Sequence, residues 1–280
     1  MKKNIIFIIA SMLLIISSGC EDLNNTGEIK TKNSILYRLR VNAPKQQLLI
    51  YRIAGMSELR TDSSADMYYN FFNRNAEITL KDLQSGESTA FMLSQDTLDS
   101  RYDLSYYKNP YLPFYTNKEP FNAKPGTDYL LSVSTGGDVI TGRLTTPGDF
   151  EITSPRSAEE IRGARNLINY NITWNKSKNA AGYFVSVTCP MRLFYPDSTW
   201  KVQYIDDGSD ILGSTSCRLG DIFKYYSDAI QSGSIVIRVE SYDFNYVQHY
   251  RNLKESVGLN NAYGCFSSSV MKEVRIYYDK

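Results

Sequence analysis

The sequence predicts an all-β protein made of two consecutive β-sandwich domains. Apolar residues alternate with polar ones over short segments, and turn residues separate these segments at regular intervals. Tyrosine occurs 22 times in the 280 residues, whereas histidine occurs once. Richness in Tyr, Ser, Thr and Asn, together with short alternating segments, favours β-structure in an exported protein.

The alternation is clearest in the first half of the chain. In the segment SILYRLRV, one face carries Ile35, Tyr37, Leu39 and Val41. AEITLKDL and GESTAFML lie on either side of Gly86, which indicates a hairpin. A second hairpin is predicted in TDYLLSVSTGGDVITGRL, because Gly136 and Gly137 can adopt the positive φ angles of a tight two-residue turn.

A break in the strand pattern divides the chain at TTPGDF. Pro147 and Gly148 end one strand there, so the sequence predicts an N-terminal domain over 34–147 and a C-terminal domain over 148–280. In the second domain, INYNITWNKSKNAAGYFVSVTCP holds a strand that ends at Trp174, a polar turn and a second strand. Farther on, SGSIVIRVESYD alternates again.

These two segments resemble strands B, C and F of fibronectin type III domains. The resemblance implies a buried tryptophan and an immunoglobulin-like sandwich, and we assign an immunoglobulin-like sandwich to both domains. The family usually has a tyrosine where Ile235 stands, so the hydrogen bond of the tyrosine corner should be missing. One inserted helix, capped by Asp221, is predicted in LGDIFKYYSDAIQSG. YVQHYRNLKESVGLNNAYGCFSSS is interpreted as a long connection to a final strand, VMKEVRIYYD.

The N-terminus has the three parts of an export signal. Lys2 and Lys3 give a positive tip, and residues 5–16 are uncharged and almost wholly apolar. A membrane-spanning helix needs about 20 apolar residues, so this run is too short to be one. Small residues lead directly to Cys20. The alternative is an ordinary secreted protein in which Cys20 is incidental.

The small residues before Cys20 resemble the lipobox of bacterial lipoproteins, with Ser17 at the position where that motif most often has Leu. The resemblance implies that residues 1–19 are a signal peptide, that Cys20 is lipidated, and that residues 20–33 form a flexible tether. Two or three acyl chains would hold the protein in a membrane, since one chain alone holds only marginally.

The order of these parts, with YGCFSSS near the end, is similar to that of surface lipoproteins of the Bacteroidetes type. The acidic residues Glu21 and Asp22 resemble the signal that sends such lipoproteins to the outside of the outer membrane. The similarity implies a protein anchored in the outer membrane and exposed at the cell surface, with a protein partner there such as a transporter. This family brings no established chemistry with it.

Charge and cysteine content exclude several classes of partner. Lys2 and Lys3 precede Cys20, so 29 of the 31 basic residues remain against 30 acidic ones, a net charge of −1. A net charge this close to zero creates no electrostatic field strong enough to attract nucleic acid or anionic lipid. Besides Cys20, the chain has Cys189, Cys217 and Cys265 without CxxC spacing, so no zinc site is predicted. One disulfide among them and three buried free thiols are both compatible with an exported sandwich.

Catalytic motifs are missing from the sequence. It contains no GxSxG, P-loop, HExxH or GxGxxG, and its one imidazole, His249, is interpreted as a surface or interface residue. Paired carboxylates could still hydrolyse glycosides without histidine. In YIDDGSDIL, calcium could be bound by Asp206, Asp207 and Asp210, although Asp-Gly there also predicts a hairpin turn. We therefore predict no enzyme and no cofactor.

Two groups of aromatic residues are the candidate binding sites. The first lies in residues 102–121, which three prolines make a loop or edge segment: Tyr106, Tyr107, Tyr111, Phe114 and Tyr115. The second is Tyr242, Phe244, Tyr246 and Tyr250. Exposed tyrosines lose little entropy on binding and can stack on sugars, although half of these rings could instead cap the two cores. The sequence therefore predicts a non-catalytic binding, adhesion or outer-membrane accessory role. Glycan binding is the first alternative, and a glycan-processing enzyme is the second.

Overall fold

The computed structural model describes residues 33–52, 72–94, 113–195, 199–223, 227–251 and 256–280. These residues form mostly β-strands packed as sandwiches, which confirms the predicted all-β class. In this part of the chain, no helix is long and apolar enough to cross a membrane. The predicted signal peptide, Cys20 and residues 20–32 of the tether lie outside the described residues, while Asn33 already begins the first strand.

The strands of the N-terminal half follow the alternation of the sequence. They are β1 (Asn33–Arg40), β2 (Gln47–Arg52), β3 (Glu77–Asp82), β4 (Ser88–Ser94), β5 (Phe114–Asn117), β6 (Asp128–Thr135) and β7 (Asp138–Thr145). Their order in the sheet is β1-β2-β5-β4-β3-β6-β7, with every neighbouring pair antiparallel. Both predicted hairpins are confirmed, and Gly136 and Gly137 turn with φ of 58° and 85°.

The interpretation of residues 102–121 as a loop or edge segment is wrong for residues 114–117. These form β5, which lies between β2 and β4 in the interior of the sheet. Pro113 precedes the strand and Pro120 follows it, so neither proline removes a ladder hydrogen bond. The two prolines therefore lie on either side of a central strand and do not exclude it. The stretch 102–112 lies outside the described residues.

The C-terminal half adds shorter elements. They are β8 (Ile152–Ser154), β9 (Glu160–Arg162), α1 (Ala164–Ile168), β10 (Asn171–Trp174), β11 (Gly182–Phe194), β12 (Trp200–Ile211), β13 (Ser216–Arg218), α2 (Leu219–Ile222), a 3₁₀ turn (Ser227–Ala229), β14 (Gly233–Tyr242), α3 (Phe244–Arg251), β15 (Leu259–Asn260) and β16 (Tyr263–Asp279). The sheet β8-β10-β13 packs against strands in the order β12-β11-β14-β16. Dividing consecutive strands between two sheets in this way is the immunoglobulin-type arrangement.

Trp174 joins the two sheets of this sandwich, as predicted. It ends β10, is only 3% exposed, and its ring centroid lies 5.3 Å from that of Tyr183 on β11. The Tyr183 hydroxyl accepts the Ser177 N–H at 2.8 Å, which fixes the turn between the two strands. The inward residues of β14 are fully buried: Ile235, Ile237 and Val239.

The predicted single helix after residue 219 is wrong in extent. α2 ends at Ile222, a 3₁₀ turn begins at Ser227, and β14 begins at Gly233. Asp221 lies inside α2, where it pairs with Arg218 at 3.0 Å instead of capping a helix. The helix was predicted to bury an apolar stripe of Ile222, Phe223, Tyr226 and Ile230; three of these are buried, and Tyr226 lies outside the described residues.

The last strand differs most from the prediction. The expected long connection contains α3 and the first half of β16. β16 pairs in parallel with β1 from Tyr263 to Ser269, and antiparallel with β14 from Ser269 to Tyr278. β9 pairs with its end and β15 pairs with β7. One strand therefore runs through both halves of the molecule, and the boundary between 147 and 148 stays a prediction.

Candidate functional site

Four tyrosines meet at one end of the C-terminal sandwich. Tyr183 lies at the start of β11, Tyr242 at the end of β14, and Tyr246 and Tyr250 on α3. Residues four apart share one side of a helix, so Tyr246 and Tyr250 face the same way. The rings of Tyr242 and Tyr246 stack with centroids 4.0 Å apart and planes 17° apart. These residues line a pocket of about 110 Å³ together with Gly182, Asp210, Leu212, Val247 and Arg251. We call it the tyrosine pocket.

The tyrosine pocket has an aromatic floor and an almost wholly apolar lining, with two charged residues at its edge. Tyr183 and Tyr242 are 6% and 3% exposed, whereas Tyr250 is 62% exposed. Asp210 and Arg251 are exposed and carry opposite charges. Pockets for drug-sized ligands start at roughly 300 Å³, so this one suits a single ring and not an extended molecule.

A buried cation supports the floor of the pocket from behind. The guanidinium carbon of Arg38, on β1, lies 5.7 Å from the ring centroids of both Tyr242 and Tyr246. Arg38 also lies 4.0 Å from the Glu240 carboxylate, and the Tyr242 hydroxyl donates to Glu240 at 3.1 Å. Burial and the Glu240 charge raise the pKa of Tyr242 well above its usual value, so this hydroxyl stays a donor. The ring stack is thus held in one orientation.

Helix α3 is fixed where it starts. The carboxylate of Asp243, just before the helix, accepts the Tyr246 N–H at 2.9 Å and the Ser268 hydroxyl at 2.8 Å. This is the bonding of a helix N-cap. Burial raises the pKa of Asp243 to about 7. The Asn245 amide donates to the Phe266 carbonyl at 2.9 Å, so β16 holds the helix that carries two of the pocket tyrosines.

Only some of the predicted aromatic residues lie at the tyrosine pocket. Of the second group, Tyr242, Tyr246 and Tyr250 line the pocket, whereas Phe244 is 65% exposed beside a separate open cleft of about 570 Å³. In the first group, Phe114 and Tyr115 are 1% and 2% exposed in the core, so they form no binding surface. The rest of that group lies outside the described residues: Tyr106, Tyr107 and Tyr111.

The calcium candidates do not converge. They lie along strand β12, and the hairpin turn predicted at Asp-Gly is wrong because Gly208 pairs within the ladder to β11. Asp206 and Asp207 point to opposite faces, since neighbours in a strand alternate. Asp206 accepts the Thr188 hydroxyl at 3.0 Å and lies 3.9 Å from Arg238. Over the described ranges, no three His, Cys, Asp or Glu residues cluster in a way that could hold a metal ion.

The remaining candidates for chemistry are half-buried or buried. His249 lies on α3 and is half-buried. Cys189, Cys217 and Cys265 are buried free thiols, which settles the choice between one disulfide and none. Burial raises the pKa of Cys189 and Cys265 to about 12 and that of Cys217 to about 11. Thiols with such pKa values are poor nucleophiles at neutral pH.

One exposed surface was missed by sequence reasoning. β11 and β12 form a long hairpin, and four side chains on its outer face are each more than half exposed: Phe194, Trp200, Val202 and Tyr204. We call these four residues the β12 strip. The Phe194 and Trp200 rings lie 5.0 Å apart, and the Arg192 guanidinium lies 4.7 Å from the Trp200 centroid. The alternation of apolar and polar residues in WKVQY could have predicted this strand. The hairpin turn that we predicted at Asp-Gly, within the same strand, argued against it.

Comparison with known proteins gives distant likenesses only. No protein-family model and no curated protein matches the chain. A SusE-like, surface-located polysaccharide-binding protein from the heparin utilisation locus of Bacteroides thetaiotaomicron matches with 9% identity and a TM-score of 0.19, over 88% of this chain and 33% of that one. The chain therefore spans about a third of that protein's length.

Two streptococcal domains match at a similar level. They are the C-terminal domains of antigen I/II-family proteins from Streptococcus pyogenes and Streptococcus agalactiae, with 8% and 9% identity and TM-scores of 0.17. Each match covers 88% of this chain and 99% of the streptococcal domain. Likenesses with such TM-scores establish neither a family nor a function for this chain.

Proposed function

We propose that the chain is a non-catalytic binding lipoprotein of the cell surface, and that its tyrosine pocket holds one sugar residue of a glycan. The observation that carries this proposal is the meeting of four tyrosine rings with the carboxylate of Asp210 and the guanidinium of Arg251. Aromatic faces stack on the C–H face of a sugar ring, while charged rim groups bond to its hydroxyls.

Pre-organisation supports this role. The stacked rings of Tyr242 and Tyr246 are held against Arg38 before any ligand arrives. A site whose side chains are already ordered loses less conformational entropy on binding. Tyr250, the most exposed of the four rings, is placed to contact the ligand from the rim.

Binding is favoured over hydrolysis by the acids at the pocket. Glycoside hydrolysis generally uses two carboxyl groups on either side of the scissile bond. The lining of the tyrosine pocket contributes one carboxyl group, Asp210. Within the described part of the chain, this lining can hold a sugar but contains no second acid for the usual mechanism.

The proposed location rests on the N-terminal sequence. Lipidation of Cys20 would anchor the protein in the outer membrane, with residues 21–32 as the tether that carries the sandwich outward. A Cys20→Ser chain should lose palmitate labelling and leave the membrane fraction. A protein partner in the outer membrane, such as a transporter, should co-purify with the detergent-solubilised wild type. Retention of Cys20→Ser in the membrane would contradict the anchor.

A glycan array followed by calorimetry on the full chain tests the pocket. Tyr250→Ala should weaken binding of the array hit by about tenfold, the loss typical of one aromatic contact at a binding hot spot. Phe244→Ala is the matched control, since Phe244 lies on the same helix and is 65% exposed but lies outside the pocket. An array without hits, or equal losses for both variants, would reject glycan binding at this site.

A further inference from the structure

Strand β12 is an unprotected sheet edge. It is 12 residues long, and within the described part of the chain it pairs with β11 on one side only. Proteins commonly protect such edges with short strands, prolines, bulges or charged side chains, and of these devices β12 has only the charged side chains. β12 contains no proline, and its pairing with β11 runs without a register shift from Trp200 to Ile211. Most of its side chains are exposed, including those of Trp200, Val202 and Tyr204.

We infer that β12 pairs with β12 of a second copy of this chain, antiparallel, about a two-fold axis at Tyr204. A two-fold interface brings the same patch of both chains together. In this register Tyr204 faces Tyr204 of the second copy, and residues at equal distances on either side of Tyr204 face each other. Lys201 therefore lies opposite Asp207, and Trp200 opposite Gly208.

Charge complementarity selects this register. Lys201 and Asp207 lie on the same face of β12, because an even number of residues separates them. Each copy supplies one lysine and one aspartate, so the interface contains the pair twice. Opposite charges at facing positions of an antiparallel pair are stabilising. Moving the axis to Gln203 or Ile205 would place Lys201 opposite an uncharged residue.

The same register covers the most exposed tryptophan. Trp200 is 56% exposed and would lie beside Gly208 of the second copy. The ring of Phe184 lies over Gly208, so Trp200 would meet an aromatic surface and leave water. Val202 would face Asp206, whose carboxylate is already engaged by Thr188 and Arg238.

A dimer formed in this way would carry two tyrosine pockets. Asp210 at the pocket rim lies six residues from Tyr204, so two-fold related Asp210 residues would be about 40 Å apart along the joined strands. Two pockets at fixed separation could engage one glycan chain together and increase its apparent affinity. This gain rests on the proposed function, whereas the pairing of β12 does not.

Charge reversal tests the pairing. The full chain in detergent, with protein mass separated from detergent mass in light scattering, should be a dimer that dissociates on dilution. Lys201→Asp and Asp207→Lys should each give monomers, because each places like charges opposite one another twice. The double variant should restore the dimer. A monomeric wild type, or a double variant as dissociated as the single ones, would overturn the inference whether or not glycan binds.

Cross-linking tests the register, and it also serves if a charge variant fails to fold. Tyr204→Cys faces itself across the axis, at a Cα separation of about 5 Å that suits a disulfide. Val202→Cys is the matched control, since its own copy would be displaced by about 13 Å along the strand. Oxidation should therefore yield covalent dimers for Tyr204→Cys alone. Equal cross-linking of both variants, or of neither, would refute the register.

Discussion

The rings of Tyr37 and Phe266 stack with centroids 5.4 Å apart and planes 11° apart. Tyr37 belongs to the first strand and Phe266 to the last, so this contact joins the two ends of the described chain. Phe91 of β4 meets Tyr37 edge-on at 5.7 Å and extends the cluster into the N-terminal core. Because β16 continues into its ladder with β14, packing in one half of the molecule is coupled to packing in the other.

Removing the ring of Phe266 should destabilise the whole fold. Phe266 is fully buried, and truncation of a buried Phe to Ala commonly costs about 3–5 kcal/mol. We expect Phe266→Ala to lower the free energy of unfolding by this amount in urea titrations. Phe244→Ala, at a position 65% exposed, should change it little. Similar values for the two variants would contradict the coupling through β16.

At Gly264 the backbone of β16 passes close to the backbone of β1. Its φ is +95°, and a Cβ there would collide with the Ile35 backbone. Gly264→Ala should therefore lose the parallel pairing, at a cost well above the roughly 1 kcal/mol of a positive φ alone. Gly86→Ala is the matched control, because Gly86 has φ +77° but nothing within 4 Å of the added carbon. Equal unfolding free energies would show that the close approach is unimportant.

The predicted N-terminal domain should not fold by itself. A fragment of residues 34–147 lacks β15 and β16, so β1 keeps only β2 as a partner strand and β7 keeps only β6. It also lacks Phe266, and so exposes the face of Tyr37 on which that ring stacks. We expect this fragment to aggregate or to show no cooperative unfolding by circular dichroism. A cooperative transition matching that of the full chain would instead support an independent domain.

Local pattern predicted the parts of this fold that local forces determine. The hairpin at Gly136 and Gly137 needs positive φ at adjacent residues, and the chain supplies glycine at both. The burial of Trp174 was expected from the resemblance of its segment to fibronectin type III strands. The first prediction follows from interactions within a few residues, and the second follows from that resemblance.

The pairing of strands that are distant in sequence could not be predicted from local pattern. The sequence gives no local sign that Ser267, Ser268 and Ser269 belong to a buried strand, because their partners come from elsewhere in the fold. Ser268, for instance, is fully buried, and its hydroxyl donates a hydrogen bond to Asp243. The tyrosine pocket was predicted in part, since Tyr242, Tyr246 and Tyr250 are close in sequence. Its rim residue Asp210 reaches the site only through the pairing of β11 with β12.

The cysteines after Cys20 should resist labelling in the native state. Burial raises the pKa of Cys189 and Cys265 to about 12 and that of Cys217 to about 11, so thiolate is scarce at pH 8. A Cys20→Ser chain should therefore react slowly with a thiol reagent such as Ellman's, and release the full signal of all three thiols only when denatured. A denatured chain that shows only one reactive thiol without reductant would reveal a disulfide.

The stability of the fold should depend on the protonation of Asp243. Burial raises its pKa from 3.8 to about 7, so the native state favours the protonated carboxyl more than the unfolded chain does. The stabilising contribution is complete below about pH 4 and is lost as pH rises toward about 7, by on the order of a few kcal/mol.

Asp243→Asn removes this titration while keeping an oxygen that can accept the Tyr246 N–H. The free energy of unfolding of wild type minus that of the variant should therefore fall between about pH 4 and pH 7 and be level above that range, since no further proton is lost there. Urea titrations of both proteins at closely spaced pH values measure this difference. A difference that stays constant would mean that the carboxyl has the same pKa in the folded and unfolded chains, so that its bonds to Tyr246 and Ser268 balance the cost of its burial. A difference that rises with pH would mean that the folded carboxyl is the more acidic one, so that those bonds outweigh the cost of burial.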